Sequence, residues 1–278
     1  MITSKIPFQD LETRGFVVID NFLEPELIQS IEQLHLDYVN KVTLNNNPNK
    51  NYLLYHNYCP PIVAERCREL VTTITQTTLL TTNYVSNQVA YLDNQLINFP
   101  WHQDHENYWQ TQTTRNSLNF WIAITKPNGQ TDGLEVIALD RLAEKAPEFF
   151  YRRVLDKGAC TYFEQPMGIT RVIDDDIDQR YEIPVDFNAI KTSIAMTPGS
   201  LVILRGDVIH RSQPKVLGRL AISIRAVDDR GVISRKKFYS GGQTKRRMIA
   251  NSPAFGNIIK NLKEADNLTF SQAIKPNL

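Results

Sequence analysis

Residues 99–109 read FPWHQDHENYW, and how this stretch is read decides the fold. Positions 102–106 carry two histidines, an aspartate and a glutamate, in a chain whose only histidines are at 35, 56, 102, 105 and 210. In an extended strand, residues i and i+2 share a face. A strand here puts His102 and Asp104 together on an inward face and turns Gln103 away. His105 then faces opposite to His102, and Glu106 falls beyond the strand end. Tyr108 and Trp109 either line a pocket or close the mouth of a barrel.

The flanking sequence is rich in strands. YVSNQVAYLDNQLINF (84–99) alternates well enough for a strand or hairpin, and SLNFWIAIT (117–125) is a stronger one, followed by the turn KPNGQTDG. Strands resume at SIAMTPGSLVILRGDVIHRS (193–212) and RLAISIRAV (219–227). Ahead of them, RGFVVIDNFL (14–23) is a β-branched strand leading into a helix over 24–39, with Pro25 in its first turn and Leu27, Ile28, Ile31, Leu34 and Tyr38 at helical spacing. His35 in that helix reads as a packing or surface histidine. Residues 140–165 have a helical pattern, RVIDDDIDQRYEI (171–183) reads as an exposed acidic loop, and the tail from 230 as basic and irregular. Many short strands with one helical layer predict a mainly β fold with flanking helices, a sandwich or barrel.

A metal held on one face by His102 and Asp104 still needs a third ligand. The best candidate is His210, at the end of the apolar run SLVILRGDVIH. Two histidines and one carboxylate, with the remaining positions open, are what non-haem Fe(II) oxygenases use. Arg219 begins a strand nine residues after His210, on the face shared with Ala221, Ser223 and Arg225. An arginine turned into a barrel needs an anionic partner, because a lone buried guanidinium is costly. A dicarboxylate cosubstrate supplies one through two parallel hydrogen bonds.

Taken in order, these segments resemble the phytanoyl-CoA dioxygenase family of Fe(II)- and 2-oxoglutarate-dependent oxygenases. TRGFVVIDNFLEPELIQSIEQL is similar to the family's N-terminal strand and helix, PWHQDHENYW to its His-x-Asp segment, NFWIAIT with GLEVI to its tryptophan strand and the strand after it, and PGSLVILRGDVIHRS with RLAISI to its distal histidine and arginine strands. The resemblance implies a double-stranded β-helix core (jelly roll, cupin-like), with Fe(II), 2-oxoglutarate and O2 as cofactors and cosubstrates. It makes His102, Asp104 and His210 the iron ligands and Arg219 the clamp on the far carboxylate of 2-oxoglutarate, with Ser212 supporting it and Trp121 lining the pocket. The histidine-to-arginine spacing is about two residues shorter than the family's, which keeps Arg225 as a competitor for the clamp. Where the family often reads Pro-Gly-Ser-His after the GLEVI strand, this chain has ALDRL (138–142). Related halogenases carry a small residue in place of the carboxylate, so Asp104 favours hydroxylation or another oxidative outcome over halogenation.

Composition bounds the alternatives. With 278 residues, 42% hydrophobic and 22% charged, the chain is expected to form one domain over 1–278: a core at about 84–228, an N-terminal layer over 1–83 and a basic segment over 229–278. A formal charge of +1 argues against a general nucleic-acid binder. No stretch matches a membrane span. The three cysteines (59, 67 and 160) form no disulfide or metal-ligand pattern, Cys59 and Cys67 read as buried thiols, and the opening lacks an export signal, so a reducing, cytoplasmic location is expected. The expected partner is a small-molecule substrate, with anionic and carrier-bound compounds included. A dinuclear hydrolase needs more histidines than His35 and His56 can add. PGSLV is not a nucleophile elbow, and a non-catalytic metal-binding β protein remains as the rival reading.

Overall fold

The computed structural model describes residues 6–44, 54–56, 60–93, 99–126, 133–213, 218–252 and 255–276. The strands are β1 (Phe16–Ile19), β2 (Leu54–His56), β3 (Tyr84–Asp93), β4 (Trp101–His102), β5 (Leu118–Thr125), β6 (Leu134–Ile137), β7 (Cys160–Gln165), β8 (Ile169–Asp174), β9 (Gln179–Ile183), β10 (Thr192–Ser193), β11 (Leu201–Arg205), β12 (Ile209–Ser212), β13 (Leu220–Val227), β14 (Val232–Ser234) and β15 (Asn267–Thr269). One antiparallel sheet runs β1-β11-β5-β13-β3-β2 and a second runs β10-β6-β12-β4-β7-β8-β9. The fold is mainly β with flanking helices, and its two large sheets face one another, as a double-stranded β-helix requires.

Strand β5 shows why the sequence folds this way. Its apolar run is nearly continuous because both faces are covered. Leu118, Phe120, Ile122 and Ile124 join Ile203, Ile222 and Ile224 in a core beneath the helical layer, while Trp121 and Ala123 join Val202 and Ala221 in the core between the sheets. Each large aliphatic side chain buried this way stabilises the fold by about 1.5–3 kcal/mol. The helical layer is α1 (Asp10–Thr13), α2 (Pro25–Leu44) and α3 (Pro61–Thr77). α3 presents Val63, Cys67, Leu70, Val71 and Ile74 on one buried stripe. Leu34 of α2, expected on the apolar face, is 37% exposed, whereas His35 is buried and stacks on Tyr91. The turn before β11 requires glycine: Gly199 has φ +84°, and a Cβ there would lie 2.5 Å from the Leu23 carbonyl oxygen.

Three sequence expectations are corrected. The helical pattern over 140–165 ends at Val154, after helices at Leu139–Lys145 and Pro147–Phe149 and a π-turn at Phe150–Val154; Cys160–Gln165 is strand β7, held between β4 and β8. The acidic stretch is no loose loop but the β8–β9 hairpin. Asp175 and Asp176 have cationic and polar partners elsewhere in the chain, which offsets part of the like-charge cost of clustering them. The tail is not irregular either: helices at Arg235–Tyr239, Gln243–Asn251, Gly256–Asn261 and Phe270–Ala273 surround β14 and β15. They bury Phe238, Ile249, Phe255, Ile258, Leu262 and Phe270 in a third core.

Tyr108 and Trp109, from helix α4 (Glu106–Thr111), belong to that third core. Its polar edge is where the acidic hairpin meets the basic tail. Lys245, 1% exposed, donates to Asp176 Oδ1 at 2.5 Å, and the Tyr108 hydroxyl donates to Asp176 Oδ2 at 3.2 Å. Lys237 donates to the Tyr108 hydroxyl at 2.8 Å. Burial and the Asp176 charge push the Tyr108 phenol far up. Among the described residues no helix is long and apolar enough to cross a membrane. Cys67 and Cys160 are buried free thiols; Cys59 lies outside the described residues.

Candidate metal centre

β4 and β12 are paired, and His102 and His210 are directly opposite one another in their register. Residues opposite in register share a face. Their rings are 4.3 Å apart, centroid to centroid. Strand pairing of β4 ends at His102, two residues earlier than a longer strand would give, but the Gln103 amide still donates to the Cys160 carbonyl at 2.9 Å. Asp104 therefore stays with the histidines, and one ligand atom from each of His102, Asp104 and His210 lies within 4.8 Å of the other two.

Gln103 supplies the anchorage. Its side chain donates to the carbonyls of Val154 (3.2 Å), Lys157 (3.3 Å) and Asp207 (2.8 Å), and accepts from the Tyr162 hydroxyl at 2.8 Å. It ties the His-x-Asp segment to the turn that leads into His210. The sequence reading turned Gln103 away from the ligands but gave it no role. Asp207 in that turn is itself pinned by Arg205, at 2.6 and 3.1 Å.

Both histidines are pre-set. His102 Nδ1 lies 2.8 Å from the Pro100 carbonyl and His210 Nδ1 lies 3.0 Å from the Val208 carbonyl. A carbonyl can only accept, so each Nδ1 carries the proton and each Nε2 is left with the lone pair a metal needs. Burial of the ring and the adjacent His210 lower the His102 pKa to about 3; burial likewise lowers that of His210, against the pull of Asp104. Burial alone would raise the Asp104 carboxyl, yet the Arg225 guanidinium and the two histidines hold it below its ordinary range. Two neutral imidazoles and one carboxylate make a donor set that fits a divalent iron ion.

These shifts have a stability consequence. A histidine whose folded pKa is lowered binds its proton more readily in the unfolded chain, so its contribution is present above about pH 6.5 and is lost as pH falls towards 3. The metal-free protein is expected to lose up to about 1.4 kcal/mol per pH unit per histidine below pH 6.5. Urea unfolding at pH 7.5, 6 and 5, compared with His102→Gln, checks this: the variant should show the shallower pH dependence.

The remaining sequence candidates divide. Ser212 is buried opposite Leu134 on the same face as His210, and Trp121 is buried opposite Ser223 on the facing sheet. Arg219, 2% exposed, donates through Nη1 to the Gly133 carbonyl at 3.2 Å, the same carbonyl that takes the Gln213 amide at 3.1 Å. That places Arg219 beside the Ser212 end of β12. Arg225, the competing clamp, instead grips both oxygens of Asp104, at 2.7 and 2.9 Å. His105 is not part of the cluster: its Nε2 lies 2.9 Å from Asp175 Oδ2 and its ring packs edge-on against Trp109. Glu106 starts α4 and accepts from the Ser252 hydroxyl.

The profile of one family, phytanoyl-CoA dioxygenase (PhyH), matches residues 11–216, which span β1 through the triad. The chain belongs to the phytanoyl-CoA dioxygenase family. Fe(II) and 2-oxoglutarate are the cofactors that go with this family, and the His-Asp-His triad is able to hold the metal. Solved structures agree on the fold. AviO1 from Streptomyces viridochromogenes Tue57 is 14% identical with a TM-score of 0.50, over 80% of this chain and 93% of that one. SnoK, a non-heme alpha ketoglutarate dependent carbocyclase from nogalamycin biosynthesis, is 11% identical with a TM-score of 0.51, over 88% and 90%. The non-heme monooxygenase ThoJ is 13% identical with a TM-score of 0.50, over 80% and 77%. No curated protein matches the chain. Family and fold together identify this PhyH-family member as an oxygenase-type enzyme.

Proposed function

We propose that the protein is a dioxygenase that hydroxylates an unactivated C–H bond of a small molecule, with conversion of 2-oxoglutarate to succinate and CO2. The observation that carries this reading is the pairing of two tautomer-fixed histidines with an ionised Asp104 on one inward face. Iron with 2-oxoglutarate supplies the oxidising power when bound. His102, Asp104 and His210 hold the metal. Arg219, with Ser212 beside it, receives the far carboxylate of 2-oxoglutarate, and Trp121 walls the pocket on the opposite sheet. Trp121, Ala123, Val136 and Val202 lie in the apolar core between the sheets, and such surroundings would limit the access of water to the metal. A carboxylate at 104 leaves no place for a halide, which favours hydroxylation. The substrate is expected to be an amino acid, an acyl thioester or a secondary metabolite, with anionic and carrier-bound forms included.

The test is an anaerobic titration of metal-free protein with Fe(II) and 2-oxoglutarate, followed in the visible region for the charge-transfer band of an iron-chelated keto acid. A band that fades on admission of air, with succinate formed, supports the reading; iron binding without a band leaves a metal-binding protein. Arg219→Ala removes a charge-assisted contact of about 1.5–3 kcal/mol, so half-formation of the band should need roughly 10- to 100-fold more 2-oxoglutarate. An unchanged midpoint would remove Arg219 from the clamp position.

A further inference from the structure

Arg225 has its anionic partner within the chain. Both of its terminal nitrogens donate to Asp104, Nη1 to Oδ2 at 2.7 Å and Nη2 to Oδ1 at 2.9 Å, a fork gripping a carboxylate that is 5% exposed. Strand geometry aims it there. Arg225 follows Ser223 on the inner face of β13, opposite Asn119 of β5. On the other flank the register slips: Ile224 pairs with Val89 and Ala226 with Val85, so residues 86–88 of β3 stand against Arg225 alone. Such a bulge re-aims a side chain, and bulges gather at functional sites. The Arg225 side chain as a whole is 36% exposed.

The geometry points to Arg225 as a positioning residue that restricts Asp104 to a single metal-binding oxygen. The inference rests on the oxygenase reading above. A six-coordinate ion held by two histidine nitrogens and one carboxylate oxygen has room for a keto acid that takes two positions and for O2 at the last. A carboxylate free to turn can give both oxygens and fill that last position. Arg225 prevents this by donating to both oxygens from the side on which they would chelate an ion together, which leaves a remaining lone pair of one oxygen for the metal; a charge-assisted fork is directional and hard to displace. The same engagement takes Arg225 out of contention as the 2-oxoglutarate clamp.

The full-length protein and the variants Arg225→Gln and Arg225→Lys are loaded anaerobically with Fe(II), then 2-oxoglutarate, then nitric oxide as a stand-in for O2. The readouts are bound iron, the keto-acid band and the half-integer-spin nitrosyl EPR signal per iron. Arg225→Gln is expected to keep its iron and its band but lose the nitrosyl signal several-fold. Arg225→Lys, which returns one cationic donor to the carboxylate, should recover most of it and shows that the fold tolerates change at this position. An undiminished nitrosyl signal in Arg225→Gln overturns the proposal. Loss of the band with iron retained overturns it by making Arg225 the clamp, and loss of iron overturns it by making Arg225 a brace for the ligand only. Absence of the band in the unsubstituted protein is a separate failure, that of the oxygenase reading itself.

Discussion

Asp104→Ala is expected to lose metal binding by more than the 10- to 100-fold that removal of an outer-shell partner costs, and to abolish succinate formation. Asp104 is the only anionic member of the triad, and the two imidazoles beside it are held neutral. Taking it away leaves a dication with two neutral donors and with the Arg225 guanidinium, now without its carboxylate, close by. Calorimetric titration with Co(II), which does not require exclusion of air, gives the affinity, and succinate assay gives turnover. Asp104→Asn keeps the shape and removes the charge, so it should fall with the alanine variant. Coupled turnover at the unsubstituted level in either one would mean the ligand set is wrong.

Asp207→Ala is the second large effect, on stability. Arg205 and Asp207 are 3% and 0% exposed at the side chain, and their two contacts are 2.6 and 3.1 Å. Asp207 Oδ2 also accepts the Asp156 amide at 3.0 Å. Without Asp207 the Arg205 charge keeps only the carbonyls of Leu11 and Glu12, each at 3.3 Å. Breaking a buried pair from one side costs about 3–5 kcal/mol, because an uncompensated charge stays inside. Against a total stability of about 5–15 kcal/mol this is a large fraction. Denaturant unfolding should show the midpoint drop with an unchanged slope. The turn that carries Asp207 also receives the Gln103 amide, so metal affinity should weaken in the same variant. A midpoint within error of the parent would show that the pair contributes no net stability.

Much of this was legible in the sequence, for physical reasons that can be named. Strands β5, β11 and β13 have apolar runs bounded by turn residues, and covering on both faces made those runs nearly continuous. His102, Asp104 and His210 were found through scarcity and spacing. What escaped the reading depends on distant partners. Cys160–Gln165 has no strong period of its own and becomes a strand because β4 and β8 flank it. Asp175 and Asp176 look like solvated charge until His105 and Lys245 are placed against them. Lys245, in the basic tail, is buried because Asp176 compensates it. Arg225 was visible as an inward arginine, but nothing along the chain says that it reaches Asp104, 121 positions away.

The carbonyl latches on His102 and His210 bear on which metal the protein carries. Each ring is held by the carbonyl two residues before it, so the chain's own backbone orients both donors. A preformed imidazole–carboxylate pocket has little means of refusing a divalent ion of similar size, and intrinsic affinity rises from Fe(II) through Co(II) and Ni(II) towards Cu(II). Selectivity for iron then cannot come from the pocket's rigidity. It falls to metal supply and to the cosubstrate, and trace nickel or copper acquired during purification would act as a tight, silent poison of this enzyme.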